Sequence, residues 1–152
     1  MKQVIISNSS DETFALGREL SEKIQKKCVV AIYGNLGAGK TIFAKGIAAG
    51  LSIVDDITSP TFSLMEAYEG NITLYHFDLY RIDDTNEFLN LSFEEYWEED
   101  AVSVIEWPEI AENILPKKRI NVYIEYSEYI DENINENTNE NTRKITIEYP
   151  DN

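Results

Sequence analysis

Residues 34–41 read Gly34-Asn35-Leu36-Gly37-Ala38-Gly39-Lys40-Thr41 and carry the clearest chemistry in the chain. Their spacing, Gly-x4-Gly-Lys-[Ser/Thr], is that of a loop built to cradle phosphates. Glycines at 34, 37 and 39 let backbone N–H groups turn inward, where a Cβ would block a phosphate. The helix that follows the loop, from Thr41 and Ile42 onward, adds the positive end of its dipole. Lys40 supplies a point charge for the β- and γ-phosphates. The Thr41 hydroxyl is placed to ligate Mg²⁺. A turn that only ended a strand would not need Lys-Thr at the helix start.

A phosphate loop alone binds nucleotide; hydrolysis also needs a carboxylate near the metal and a group that places water. Two carboxylates follow apolar strand-like runs: Glu106 after Val102-Ser103-Val104-Ile105, and Asp78 after Leu74-Tyr75-His76-Phe77. Strand carboxyl ends are where ligands bind in open α/β sheets. Thr61, in Ser59-Pro60-Thr61-Phe62, lies in a turn stiffened by Pro60 and is a candidate γ-phosphate sensor. His76 is the lone histidine, and its place inside a strand favours a structural role. Arg81 reads equally as a salt-bridge partner or a phosphate contact. Trp107 is a candidate partner contact.

These residues need elements to position them. Cys28 to Tyr33 is an apolar strand feeding the loop, and Thr41 to Leu51 is a helical pattern leaving it, with Gly50 near its C-cap. Upstream, Gln3 to Ser7 reads as a strand. Ser9 with Glu12 forms a capping box for a helix to about Lys26, with Phe14, Leu16, Leu20 and Ile24 facing the core. Thr61 to Glu69 and Ile72 to Leu79 read as a hairpin around Glu69-Gly70-Asn71. A short helix starts at Asp83-Asp84-Thr85, and Ser92 with Glu95 reads as a second capping box. Ala101 to Glu106 is a buried-type strand ended by Trp107-Pro108. Ile120, Val122 and Ile124 alternate with polar or half-buried residues, as do Ile145 and Ile147. The Asn-rich tract 131–142 offers almost nothing to bury and is expected to be a disordered hairpin extension. The fold class is α/β: one P-loop NTPase-like domain, with a mixed, mostly parallel sheet flanked by helices.

The chain has 152 residues, enough for one domain with a real core. Its apolar runs are far too short for a membrane helix, and the N-terminus lacks a signal-peptide core, so a cytoplasmic location is expected. The single cysteine, Cys28, forbids an internal disulfide and is expected to be inert core. The net charge of −15 repels nucleic-acid phosphates, so a role near RNA would work through a partner. Lys117-Lys118-Arg119, the one basic cluster, reads as the solvated start of a strand.

Taken together, the motifs resemble the TsaE family, small P-loop ATPases of bacterial tRNA threonylcarbamoyladenosine synthesis. The resemblance rests on the loop 34–41, on Ser59-Pro60-Thr61-Phe62, on His76-Phe77-Asp78-Leu79-Tyr80-Arg81 and on Ile105-Glu106-Trp107-Pro108, in order along nearly the whole chain. It implies ATP and Mg²⁺ as cofactors, slow hydrolysis by the isolated protein, and two partner proteins, TsaD and TsaB, that transfer threonylcarbamoyl to tRNA. It implies that Thr41 and Glu106 hold Mg²⁺ and that Asp78 positions or activates water. It also implies that Ser10, Thr13 and Arg143 lie near the adenosine. Asn35 replaces a usual aspartate, Ile42 a usual second threonine, and Ser92 a usual glycine.

Other classes remain open on the residues alone. A small-molecule kinase built on the same loop would bring several arginines to clamp phosphates, whereas this chain has only Arg18, Arg81, Arg119 and Arg143. A non-catalytic scaffold would use ATP only to stabilise a docking surface. A GTPase is disfavoured because no Asn-Lys-x-Asp or Thr-Lys-x-Asp segment is present to read guanine.

Overall fold

The computed structural model describes residues 1–24, 26–60, 63–126 and 140–151. Its centre is a seven-stranded sheet in the order β1-β7-β6-β2-β5-β4-β3. The strands are β1 Lys2–Ser7, β2 Cys28–Gly34, β3 Met65–Tyr68, β4 Leu74–Asp78, β5 Val102–Glu106, β6 Ile120–Tyr126 and β7 Arg143–Glu148. The four central strands, β6-β2-β5-β4, run parallel. Antiparallel pairings of β7 with β6 and β1, and of β3 with β4, widen the sheet at both margins. This is the mixed sheet that the alternation of strand and helix patterns predicts.

Apolar alternation along β2 divides the core. Val30 and Ile32 join the cluster containing Phe43, Ala44, Ile47 and Leu20, whereas Val29 and Ala31 join Phe77, Phe88, Trp97 and Ile105. The first face is covered by helices α1 (Ser10–Ser21) and α2 (Lys40–Gly50). The second is covered by α3 (Thr85–Asn90) and two 3-10 helices, Phe93–Glu98 and Pro108–Ala111. Buried on both sides, β5 has no exposed residue, as the near-continuous apolar run predicts.

Helices α1 and α2 meet through glycines. A Cβ at Gly17 would strike the Phe43 carbonyl, and one at Gly46 would strike the Phe14 carbonyl. The close approach fixes the helix that follows the phosphate loop against α1.

Several boundaries differ from expectation. Helix α1 is capped as predicted, Ser9 Oγ accepting from the Glu12 N–H at 3.1 Å, but it ends at Ser21 rather than near Lys26. There the N–H groups of Glu22, Lys23 and Ile24 bond carbonyls three residues back, tightening the chain into turns that deliver it to β2. Ile24 stays buried all the same. Strand β3 starts at Met65 rather than Thr61. Thr61 and Phe62 lie outside the described residues. Asp84 caps α3 by accepting from the Glu87 N–H at 2.8 Å. The second capping box does not form: Ser92 has φ 57° and makes no side-chain cap bond. That left-handed backbone favours glycine, the residue that the resemblance makes usual there. The expected disordered tract lies outside the described residues at 131–139. At its end, Thr142 is fully buried and donates to Asn8 Oδ1 at 3.1 Å.

Burial pushes the Cys28 thiol up to about 11, in keeping with an unreactive side chain. Among the described residues, no helix is long and apolar enough to cross a membrane.

Candidate functional site

The topology places the chemistry. The chain leaves β2 through α2, crosses to β3 at the sheet margin and turns back as β4, two positions from β2, so β5 later inserts between β2 and β4. Glu106, the last residue of β5, therefore stands beside the phosphate-loop strand, level with Ile32. Asp78, the last residue of β4, is level with Glu106. Three parallel strands thus end around one crevice at their carboxyl edge, the usual ligand position in such sheets. A cleft of about 290 Å³ opens there, lined by residues 36–42 with Ser59, Asp78, Glu106 and Trp107.

The loop takes the shape its glycines allow. Gly37 has φ 78° and Gly39 φ 108°, conformations costly for other residues. Gly39 is the N-cap of α2 and offers no side chain to satisfy the first helical N–H groups. Those donors are left for an anion. Ala38 is buried behind the loop, and Leu36 stands 69% exposed at its tip.

Lys40 is 5% exposed. Its ammonium donates to the Gly34 carbonyl at 2.5 Å and the Asn35 carbonyl at 3.3 Å, and it sits 3.5 Å from the centroid of the Trp107 ring. Burial lowers its pKa, and the Glu106 carboxylate opposes that shift. Trp107 has a left-handed backbone, φ 56°, and its ring lies 4.8 Å from that of the exposed Tyr80. Leu64, whose carbonyl accepts from the Asp78 N–H, has φ 62°. Strained residues thus flank both carboxylates. Such strain costs of order 1–3 kcal/mol at each position and concentrates where a site must be held in shape.

The Thr41 hydroxyl donates to Glu106 Oε1 at 2.9 Å and lies 3.1 Å from Ser59 Oγ. Glu106 is 2% exposed. Its other oxygen, Oε2, lies 2.5 Å from His76 Nε2. Asp78 is half-buried at the mouth, where its Oδ1 accepts from the Tyr80 N–H at 3.1 Å. Burial raises the Asp78 pKa above the ordinary 3.8; the Tyr80 N–H works against that rise and the nearby Glu106 adds to it.

Of the sequence-predicted residues, Lys40, Thr41, Ile42, Asp78, Glu106 and Trp107 line the cleft together with residues 36–39. Gly34 and Asn35 contribute the carbonyls that hold Lys40. Thr13 and Arg143 reach the loop from behind. The Thr13 methyl lies 3.8 Å from the Cβ position of Gly39, while its hydroxyl is 2.7 Å from Ser7 Oγ. Arg143 Nε donates to the Ala38 carbonyl at 3.0 Å, and its guanidinium stacks over Tyr126 at 4.7 Å. Ser10 is exposed at the start of α1 and does not line the cleft. Thr61 falls outside the described residues.

Sequence reasoning missed the Tyr126 hydroxyl, which donates to the Leu36 carbonyl and braces the loop tip. It also named no partner for His76, which contacts Glu106. One signal pointed to it: on a strand, residues two apart share a face, so His76 and Asp78 face the same side.

The site belongs to a recognisable lineage. The family model described as "Threonylcarbamoyl adenosine biosynthesis protein TsaE" matches residues 7–148. Curated proteins named "tRNA threonylcarbamoyladenosine biosynthesis protein TsaE" are similar along most of the chain. The protein from Treponema pallidum is 38% identical over 117 residues, covering 77% of this chain and 87% of its own. That from Nostoc sp. is 42% identical over 123 residues, covering 78% and 75%. The crystal structure of YdiB from Bacillus subtilis superposes with a TM-score of 0.76 at 28% identity, covering 99% of this chain and 87% of that one. Matched by the family model over residues 7–148, the chain belongs to the TsaE family of tRNA threonylcarbamoyladenosine biosynthesis.

Proposed function

We propose that the chain is a Mg²⁺-dependent ATPase that is slow alone and serves a partner complex, formed by TsaD- and TsaB-like proteins, that makes threonylcarbamoyladenosine in tRNA. The observation that carries this reading is the convergence of Lys40, Thr41, Glu106 and Asp78 on one cleft at a helix N-terminus.

The residues fit the implied groups. The donor-rich helix start and positive-φ glycines suit phosphate oxygens. The Thr41 hydroxyl and Glu106 carboxylate, 2.9 Å apart, are hard oxygen ligands. Mg²⁺ is usually held by one or two carboxylates together with substrate phosphates, so Thr41 and Glu106 would hold it here. When bound, it neutralises charge on the phosphates. Lys40 must leave the carbonyls of Gly34 and Asn35 to pair with phosphate oxygens. Asp78, poised at the mouth with a raised pKa, orients the attacking water and accepts its proton at a carboxylate oxygen. Trp107 and Tyr80 cover the site and limit water.

Binding of nucleotide with and without Mg²⁺, followed by calorimetry, tests the assignment. Thr41→Ala and Glu106→Ala should weaken the Mg²⁺-dependent part and leave metal-free ADP binding near wild type. Normal ATP turnover by Glu106→Ala would reduce Glu106 to a strand-end carboxylate. Phosphate transfer from ATP to a small metabolite would favour the kinase reading instead.

A further inference from the structure

The geometry points to His76 as a positioning residue that locks the Glu106 carboxylate by donating from Nε2. The inference rests on the reading of Glu106 as the metal-holding carboxylate. The two side chains come from neighbouring parallel strands: His76 pairs with Val104, two residues before Glu106, on the same face of the sheet. His76 is fully buried and Glu106 2% exposed, so water does not compete for the contact.

The proton inventory fixes the direction of the bond. A carboxylate that holds a metal only accepts, so on that reading Nε2, at 2.5 Å from Oε2, carries the hydrogen. Nδ1 is buried and has no hydrogen-bond partner among the described residues. A bare lone pair there costs less than a stranded N–H would, so the same tautomer satisfies both nitrogens best. The Thr41 hydroxyl lies 2.9 Å from Oε1 and 3.2 Å from Oε2, so it does not by itself choose between the two oxygens, and the His76 contact at Oε2 is what fixes the turn of the carboxylate. Hydrogen bonds to a ligating carboxylate orient it, and their loss typically weakens metal binding 10–100-fold.

Two measurements test this. As His76 is the lone histidine, long-range ¹H–¹⁵N correlation on the wild-type protein reads its tautomer without mutation. A proton on Nε2 is expected; a proton on Nδ1 alone would mean that Glu106 is the donor and would overturn the inference. Mg²⁺ titration of the ADP-bound protein then compares His76→Gln, which keeps a donor at the same reach, with His76→Phe, which fills the space without one. The account predicts a 10–100-fold loss of Mg²⁺ affinity in His76→Phe, most of it restored in His76→Gln, with metal-free ADP binding within about twofold of wild type in both. Equal losses in the two variants, or none in either, would overturn it. Glu106→Ala in the same titration separates the two readings: unchanged Mg²⁺ affinity there would sink the metal assignment of Glu106 itself.

Discussion

At the scale of single residues, Lys40 and Asp78 are both disfavoured in their charged forms by burial, and a bound phosphate supplies the opposite charge to Lys40 alone. Lys40 is desolvated, hydrogen-bonded to carbonyls of its own loop and seated over the Trp107 ring. Lys40→Ala should abolish productive ATP binding, since a charge-assisted contact is worth roughly 1.5–3 kcal/mol; calorimetry showing wild-type affinity would contradict the phosphate-loop assignment. For Asp78 the sign runs the other way from a salt-bridged carboxylate. Its folded pKa is raised by burial, so folding favours the protonated form. The group costs no stability below about pH 3.8, its unfolded value, and an increasing amount as pH rises through the folded pKa. Asp78→Asn should therefore raise the melting temperature at pH 7, with the gain fading in acid, while ATP turnover falls. A variant that loses both stability and activity would show that the carboxylate is structural. The place of Lys40 was legible from the loop spacing and that of Asp78 from its strand-end position. The His76–Glu106 contact was not, because strand order, which sequence does not state, makes β4 and β5 neighbours.

At the scale of elements, the site depends on how firmly α2 is held. Gly46 packs against the α1 backbone at Phe14 and Arg18, so Gly46→Ala forces a helix apart rather than bending a side chain. Overpacking typically costs 1–3 kcal/mol, and a value at the upper end is expected by chemical denaturation, with weakened ATP binding because the loop rides on α2. An unchanged denaturation midpoint would show that the interface yields cheaply. The strand–loop–helix unit was legible because its signals agree: an apolar run into glycines, then a helical pattern closed by Gly50. The failures fell where local signals compete with tertiary demands. Ser92 and Glu95 spell a capping box, yet the backbone at Ser92 turns left-handed so that Phe93 and Trp97 can pack on Phe88. Helix α1 ends early although residues up to Lys26 suit a helix, because the chain must turn to enter β2.

At the scale of the whole molecule, the charge of −15 bears on whether the protein holds tRNA by itself. Phosphate-backbone affinity comes from lysine and arginine neutralising phosphates, and an acidic surface repels them. Labelled tRNA followed by anisotropy at physiological salt should show negligible binding; sub-micromolar affinity would contradict the partner-borne role. The fold class and the place of the crevice were legible from motif order alone. On the proposed reading, the exposed Tyr80 beside Trp107 and the exposed Leu36 at the loop tip are where a partner surface would complete a water-excluded site. The most direct measurement is ATP turnover by the purified protein, alone and with TsaD and TsaB added singly and together. Slow hydrolysis alone and marked stimulation by the pair, lost in Glu106→Ala, is the predicted result; full activity alone with no response to the pair would contradict the account.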